Sequence, residues 1–280
     1  MMNIGFIGAG SMGSLLIEAL IIAEAVEPFH ISVSNRTYSK AEELACKFPG
    51  LQAKQNNTSV VQQSDIIFLC IKPHEFANVI SEIKPFVTDE QLIVSITSPV
   101  QLSHLSQELN CHIAKIIPSI TNKMWSGATL CIYGDQIDEA HQTMLEQLLA
   151  YISEPIRIEE SFTRIVSDIS SCGPAFMSFL LQQFVDAAVE ETGISRDGAM
   201  MIASNMMLGT GLLLTEGGMT TEDVQRRVAV PGGITAQALA MLQKDTGGIF
   251  NNLIRTTHAK YYEDVEVVSA QFNKEEVSEQ

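Results

Sequence analysis

Gly8-Ala9-Gly10-Ser11-Met12-Gly13 fits the spacing G-x-G-x-x-G. The pattern is weak on its own. Here it follows an apolar run, Asn3 to Ile7, and opens an apolar helical pattern from Met12 to Ala25, the context in which it carries chemistry. Gly8 permits a tight turn, Gly10 lets backbone approach a pyrophosphate, and Gly13 allows close helix–strand packing. The amides of Ser11 and Met12 sit where a helix start favours anionic charge. One strand later, Ser34-Asn35-Arg36-Thr37 lacks the acid that commonly holds a ribose 2′-hydroxyl. Arg36 can pair with a 2′-phosphate, with Ser34, Asn35 and Thr37 as further donors and Lys40 as added charge. The expected cofactor is therefore NADP(H). A solvated loop arginine is the other reading of Arg36. Lys72, after the apolar run ending at Ile71, and Pro118, after the run ending at Ile117, stand at strand ends, which face the ligand crevice in open α/β sheets. Both are expected cofactor contacts, with simple strand capping the alternative for Lys72.

Two further segments carry candidate chemistry. Ser171-Cys172-Gly173-Pro174-Ala175-Phe176 opens one long helical pattern, and Val230-Pro231-Gly232-Gly233-Ile234-Thr235 opens another. Glycines at a helix start leave backbone N–H groups bare, and the helix dipole adds positive potential, a setting that suits a substrate carboxylate. Thr235 adds a hydroxyl donor. The same residue types also serve plain helix capping. The histidines His74, His104, His112, His141 and His258 show no ligand spacing, and no Cys or His cluster points to a metal.

These residues need a scaffold. Strand-like runs at Asn3 to Ile7, His30 to Ser34, Asp65 to Ile71, Leu92 to Ile96 and Ile113 to Ile117 alternate with helical patterns, the sign of a mainly parallel α/β sheet. Ala128 to Tyr133 and Pro155 to Ile158 extend it, with a helix at Asp138 to Tyr151 between them. Beyond about residue 160 the chain reads as helical: Pro174 to Glu191, Ser195 to Thr215 with Ser195 as N-cap, Ile234 to Lys244, and a further helix within Thr246 to Val268. The expected organisation is a Rossmann domain over 1–160, an all-helical domain over 161–272 and a disordered acidic tail over 273–280.

Composition narrows the classes. Of 280 residues, 46% are hydrophobic and 18% charged, enough for a sizeable core. A formal charge of −16 disfavours nucleic acid and anionic membranes as partners. The sequence shows neither a signal-peptide pattern nor an uninterrupted apolar span, and its five scattered cysteines suit a reducing cytoplasm.

Taken in order, the N-terminal glycine motif, Cys70-Ile71-Lys72-Pro73, Pro118 after its strand, Cys172-Gly173-Pro174-Ala175 and Pro231-Gly232-Gly233-Ile234-Thr235 resemble the pyrroline-5-carboxylate reductase family over nearly the full chain. The resemblance implies a Rossmann domain with a helical domain that interlocks with a second subunit, hence at least a homodimer. The active site would draw on helices of both subunits. It also implies NAD(P)H-dependent reduction of a cyclic imine, 1-pyrroline-5-carboxylate, to L-proline. Carried over by motif, Gly232, Gly233 and Thr235, with position 230, bind the substrate carboxylate. Thr235 also lies near the imine nitrogen, and Glu216, fourteen residues before Val230, matches a family glutamate near the substrate amine.

The departures fall mostly on the substrate half. Val230 stands where the family usually has Ser, Ser119 where it has Asn, Pro99 where it has Gly and Phe176 where it often has Tyr, while Ile234 replaces a common Thr or Ala. That is the pattern of a paralogue, similar to the late-competence branch of this family in bacilli. The reading is an NADPH-dependent reductase acting on a C=N bond. Its alternatives are an NADP-binding regulatory paralogue with little turnover, or a reductase of another small imine or oxo acid.

Overall fold

In the computed structural model, which describes residues 2–278, the chain divides into two compact units. The first comprises 1–173 together with 256–280, and the second 174–255.

The first unit is built on an eight-stranded sheet: β1 (Ile4–Ile7), β2 (Ile31–Ser34), β3 (Gln52–Lys54), β4 (Ile66–Leu69), β5 (Leu92–Ser95), β6 (His112–Ile117), β7 (Ala128–Tyr133) and β8 (Glu154–Arg157). Their order is β3-β2-β1-β4-β5-β6-β7-β8, and all neighbours run parallel except the antiparallel β6–β7 pair. Chain order reverses between β1 and β4, which makes a ligand crevice outside their carboxyl ends. Every residue of β1, β4 and β5 is buried, as expected of strands covered on both faces. Strand period two splits the core. Ile4, Phe6, Ile66, Phe68, Leu92 and Val94 face one way, where Phe6 and Phe68 stack with centroids 4.9 Å apart. They pack against α1 (Ser11–Ile22), α2 (Tyr38–Lys47) and α6 (Glu139–Leu149) through Leu16, Ile17, Leu20, Leu44 and Leu145. Ile7, Ile67, Leu69 and Ile93 face the other way, against α3 (Asn57–Val61), α4 (Phe76–Ile83) and α5 (Leu102–Glu108).

The second unit holds the body of α8 (Gly173–Thr192), then α9 (Arg196–Thr215), α10 (Thr221–Val228), α11 (Ile234–Asp245) and the start of α12 (Ile249–Ser278). Ser195 caps α9 as expected, its Oγ accepting from the N–H of Gly198. The core of this unit is thin, with Val185, Ala199 and Ala203 buried against Leu181 and Met200. Large apolar side chains lie open, Phe179, Phe184, Met201, Ile202 and Leu208 each at 60% exposure or more. α9 also reaches the length and mean hydropathy (1.3) of a bilayer-crossing helix.

Two elements depart from the sequence reading. From Thr256 onward α12 belongs to the sheet unit, where Val268 and Phe272, one turn apart, complete the core beside α5. The helix continues through Ser278, past the point at 273 where the reading begins a disordered tail; the last two residues of that tail lie outside the described residues. α7 (Thr163–Ser167) leads through a π-helical turn, Asp168–Cys172, into α8. Asp168 is buried there, taking Arg164 Nη2 at 2.7 Å and Thr257 Oγ1 at 2.7 Å, which ties the turn to α12.

Candidate functional site

A crevice of about 600 Å³ opens at the carboxyl ends of β1, β2 and β4. Gly8, Gly10, Asn35, Arg36, Thr37, Lys40 and Lys72 all line it, so the expected cofactor residues from three separate strand ends converge. The three glycines have distinct reasons to be glycine. Gly8 has φ +108, and a Cβ there would meet Cys70 O at 2.3 Å; at Gly13 it would meet Gly8 O at 2.2 Å. These two are required by the fold itself. A Cβ at Gly10 would meet nothing within 4 Å, so the fold does not demand glycine there, whereas a close ligand would. Gly10 is the N-cap of α1 without a side-chain cap, and no acid occupies the first turn. The amides of Ser11, Met12 and Gly13 are thus not pre-empted by a carboxylate, and the helix start suits phosphate. These residues fit a bound dinucleotide.

Asn35 holds the turn instead of waiting for a ligand. Its Oδ1 accepts from Ala9 N at 2.9 Å and its Nδ2 donates to Thr37 O at 2.9 Å. Ser34 is likewise committed, its buried Oγ donating to Asn57 Oδ1 at 2.7 Å. Arg36 is 82% exposed, with Nη1 2.5 Å from Glu75 Oε1. Glu75 also accepts from Lys72 N at 3.2 Å. Lys72 itself is exposed at the rim, whereas Pro118 is buried at the end of β6 and does not line the crevice. The sequence reading missed Glu75 and Asn57, which come from helices that it did not assign.

Ser119, read as a loss at the substrate side, has a structural task. It is fully buried; its Oγ donates to Ser170 O at 2.9 Å, and its N–H is capped by Asn122 Oδ1 at 2.7 Å. Ser170 lies in the π-helical turn Asp168–Cys172 that leads into α8. The hydroxyl of Ser119 thus ties the segment after β6 to the π-helical turn.

In the second unit, Val230 to Gly233 form a tight turn closed by Gly233 N to Val230 O at 2.9 Å. Gly232 has φ +74, and Gly233 is the N-cap of α11, with no side-chain cap. A Cβ on Gly233 would meet Val230 Cγ2 at 2.7 Å. The bare amides of a helix start are presented as the motif suggests, with Thr235 half-buried one residue into α11 and Val230 exposed. Glu216 is exposed at the carboxyl end of α9.

Two polar groupings were not legible. Lys115, midway along β6, is fully buried, its Nζ 2.6 Å from Glu160 Oε1, which also takes Leu102 N at 2.9 Å. Burial pulls the Lys115 pKa down while Glu160 opposes that shift. His104, buried beside them, takes Gln101 N at 3.3 Å and stacks on Phe272; burial first, then Lys115, lowers its pKa. The second grouping is His112, Asp138 and His141, which spacing alone did not connect.

Residues 160–264 match the family model for pyrroline-5-carboxylate reductase dimerisation, and residues 3–99 match that described as NADP oxidoreductase, coenzyme F420-dependent. The chain is 37% identical to ComE operon protein 4 of Bacillus subtilis, over 97% of this chain and 100% of that protein. It is 30% identical to pyrroline-5-carboxylate reductase 3 of Danio rerio, over 86% of this chain and 84% of that protein. Among solved structures, Plasmodium falciparum pyrroline carboxylate reductase with NADP bound superposes with a TM-score of 0.80 at 20% identity, covering 97% of this chain and 98% of the other. With one family model on the sheet unit, another over the helices, and relatives matched end to end, this chain belongs to the pyrroline-5-carboxylate reductase family.

Proposed function

We propose that this protein is an NADPH-dependent reductase of 1-pyrroline-5-carboxylate, forming L-proline, and that it works as a homodimer in the cytoplasm. The observation that carries the reading is the crevice in which Gly8, an unobstructed Gly10 at the N-cap of α1 and the exposed Arg36 meet. NADP in the Plasmodium relative and the reductase named in Danio rerio support it. When bound, the reduced nicotinamide supplies hydride to the imine carbon. The protein's share is placement and field. Gly8, Gly10, Ser11, Met12 and Gly13 grip the pyrophosphate, Asn35 and Thr37 hold the turn, and Arg36 takes the 2′-phosphate. Lys72 adds charge at the rim, and Pro118 shapes the strand end behind it. Gly232 and Gly233 offer amides to the substrate carboxylate beside Val230. Thr235 orients the ring nitrogen and Glu216 favours its protonated form. The exposed apolar faces of α8 and α9 support a subunit interface, and five free thiols suit a reducing compartment.

The test is loss of NADPH absorbance on adding pyrroline-5-carboxylate, with the oligomeric state measured by sedimentation. Proline formation by a dimer is expected. One observation favours a second reading: Val230 removes a hydroxyl donor from the carboxylate turn. NADPH binding without turnover on any imine would select a regulatory paralogue, and turnover of a different imine would select another substrate. A monomer at all concentrations would refute the dimer.

A further inference from the structure

We propose that His112, Asp138 and His141 form a binding site for a divalent transition-metal ion of the zinc class, remote from the cofactor crevice. One ligand atom of each residue lies within 4.8 Å of the other two. Bonds of about 2.0–2.2 Å would put neighbouring tetrahedral ligands roughly 3.3–3.6 Å apart, so the side chains must draw in by about 1 Å and the two rings turn out of their stack to close the set. Two imidazoles and one carboxylate are the ligand types that such an ion takes, with one position left for water.

The surroundings prepare these groups. His112 Nδ1 lies 3.1 Å from Gln136 O. A carbonyl only accepts, so Nδ1 carries the proton and the Nε2 lone pair points outward, 4.0 Å from Asp138 Oδ2. This is the outer contact by which proteins orient a ligating histidine. His141 stacks on His112 with centroids 3.8 Å apart, and its Nδ1 is 2.7 Å from Asp138 Oδ1. Asp138 caps α6 by accepting His141 N at 2.8 Å. His112 opens β6 and Asp138 follows β7, so an ion here ties the antiparallel end of the sheet together. β6 runs parallel to β5, β4 and β1, which places this site at the end of the sheet away from the crevice.

The full-length protein is titrated with zinc chloride by calorimetry and with cobalt chloride by visible absorption. One equivalent per chain, a ligand-field spectrum without thiolate charge transfer, and a zinc-dependent rise in Tm are expected. His112→Gln and His141→Gln should each weaken zinc at least tenfold. Asp138→Asn keeps a good N-cap but loses the anionic ligand, so it should lose metal while retaining its fold. NADPH affinity should be the same with and without zinc. Unchanged zinc affinity in the three variants, or a cobalt–thiolate band traceable to the exposed Cys46, would overturn the proposal.

Discussion

Replacing Arg36 by alanine separates the two cofactors by the one group in which they differ. The guanidinium is 82% exposed and sits 2.5 Å from Glu75. An exposed pair of this kind is worth about 0–1 kcal/mol, so breaking it to receive a 2′-phosphate costs little. A charge-assisted hydrogen bond is worth about 1.5–3 kcal/mol. The surplus of roughly 0.5–3 kcal/mol corresponds to about a two- to 140-fold loss of NADPH affinity in Arg36→Ala, at about 1.4 kcal/mol per tenfold. NADH carries no phosphate there, and its affinity should change by less than about twofold on the same scale. Glu75→Gln removes the competing carboxylate and should tighten NADPH by up to about fivefold, from the 0–1 kcal/mol of the resting pair. Calorimetry with both nucleotides at low and high salt reads all of this, and the Arg36 effect should shrink as salt screens the exposed charges. Equal weakening of NADPH and NADH in Arg36→Ala would refute the assignment.

The glycine turn gives a second contrast: Gly10→Ala should lose NADPH affinity with only the small drop in Tm of a poorer N-cap, whereas Gly13→Ala, with its Cβ 2.2 Å from Gly8 O, should lower the Tm far more. Thermal melting and calorimetry on the same two proteins check this, and full cofactor affinity in Gly10→Ala would exclude close approach at that residue. Val230→Ser restores a hydroxyl to the turn before α11 and should lower the KM for pyrroline-5-carboxylate several-fold, about 1 kcal/mol for one new hydrogen bond; an unchanged KM would free Val230 of blame. Glu160→Gln strips the fully buried Lys115 of its carboxylate and should cost about 3–5 kcal/mol in urea melts. Lys115→Met should cost less, because Glu160 is one-third exposed and keeps its water.

How much was legible depended on how local each signal was. β1, the glycine turn and α1 are contiguous, and their pattern, packing and chemistry agree within about twenty residues. β3 has no apolar run to betray it, since Gln52 to Lys54 pair on the sheet edge through backbone. α4 carries a clear stripe of Phe76, Ala77, Ile80 and Ile83, but it is only eight residues long and was overshadowed by the Lys72-Pro73 strand end. α10 is short and strongly charged, and its Thr220–Asp223 capping box was its best sign. The end of α12 was masked by Glu263, Asp264 and Glu266, although Val268 and Phe272 repeat at helical spacing and fill the core.

Position 119 shows why a departure from a family pattern is not by itself a functional loss. Read along the sequence, Ser in place of Asn after Pro118 removes a carboxamide from a strand end that faces chemistry. In the fold, Asn122 supplies a carboxamide three residues later and caps the same N–H. The Ser119 hydroxyl then reaches Ser170 O in the π-helical turn before α8. A hydrogen bond of this kind contributes about 0.5–1.5 kcal/mol, so Ser119 and the turn that leads into α8 are coupled across 51 residues of sequence. Val230 differs in kind. It is exposed, its side chain makes no hydrogen bond, and its backbone alone closes the turn. Of the two departures, Ser119 is absorbed by the architecture, and Val230 is the one whose chemistry nothing around it replaces.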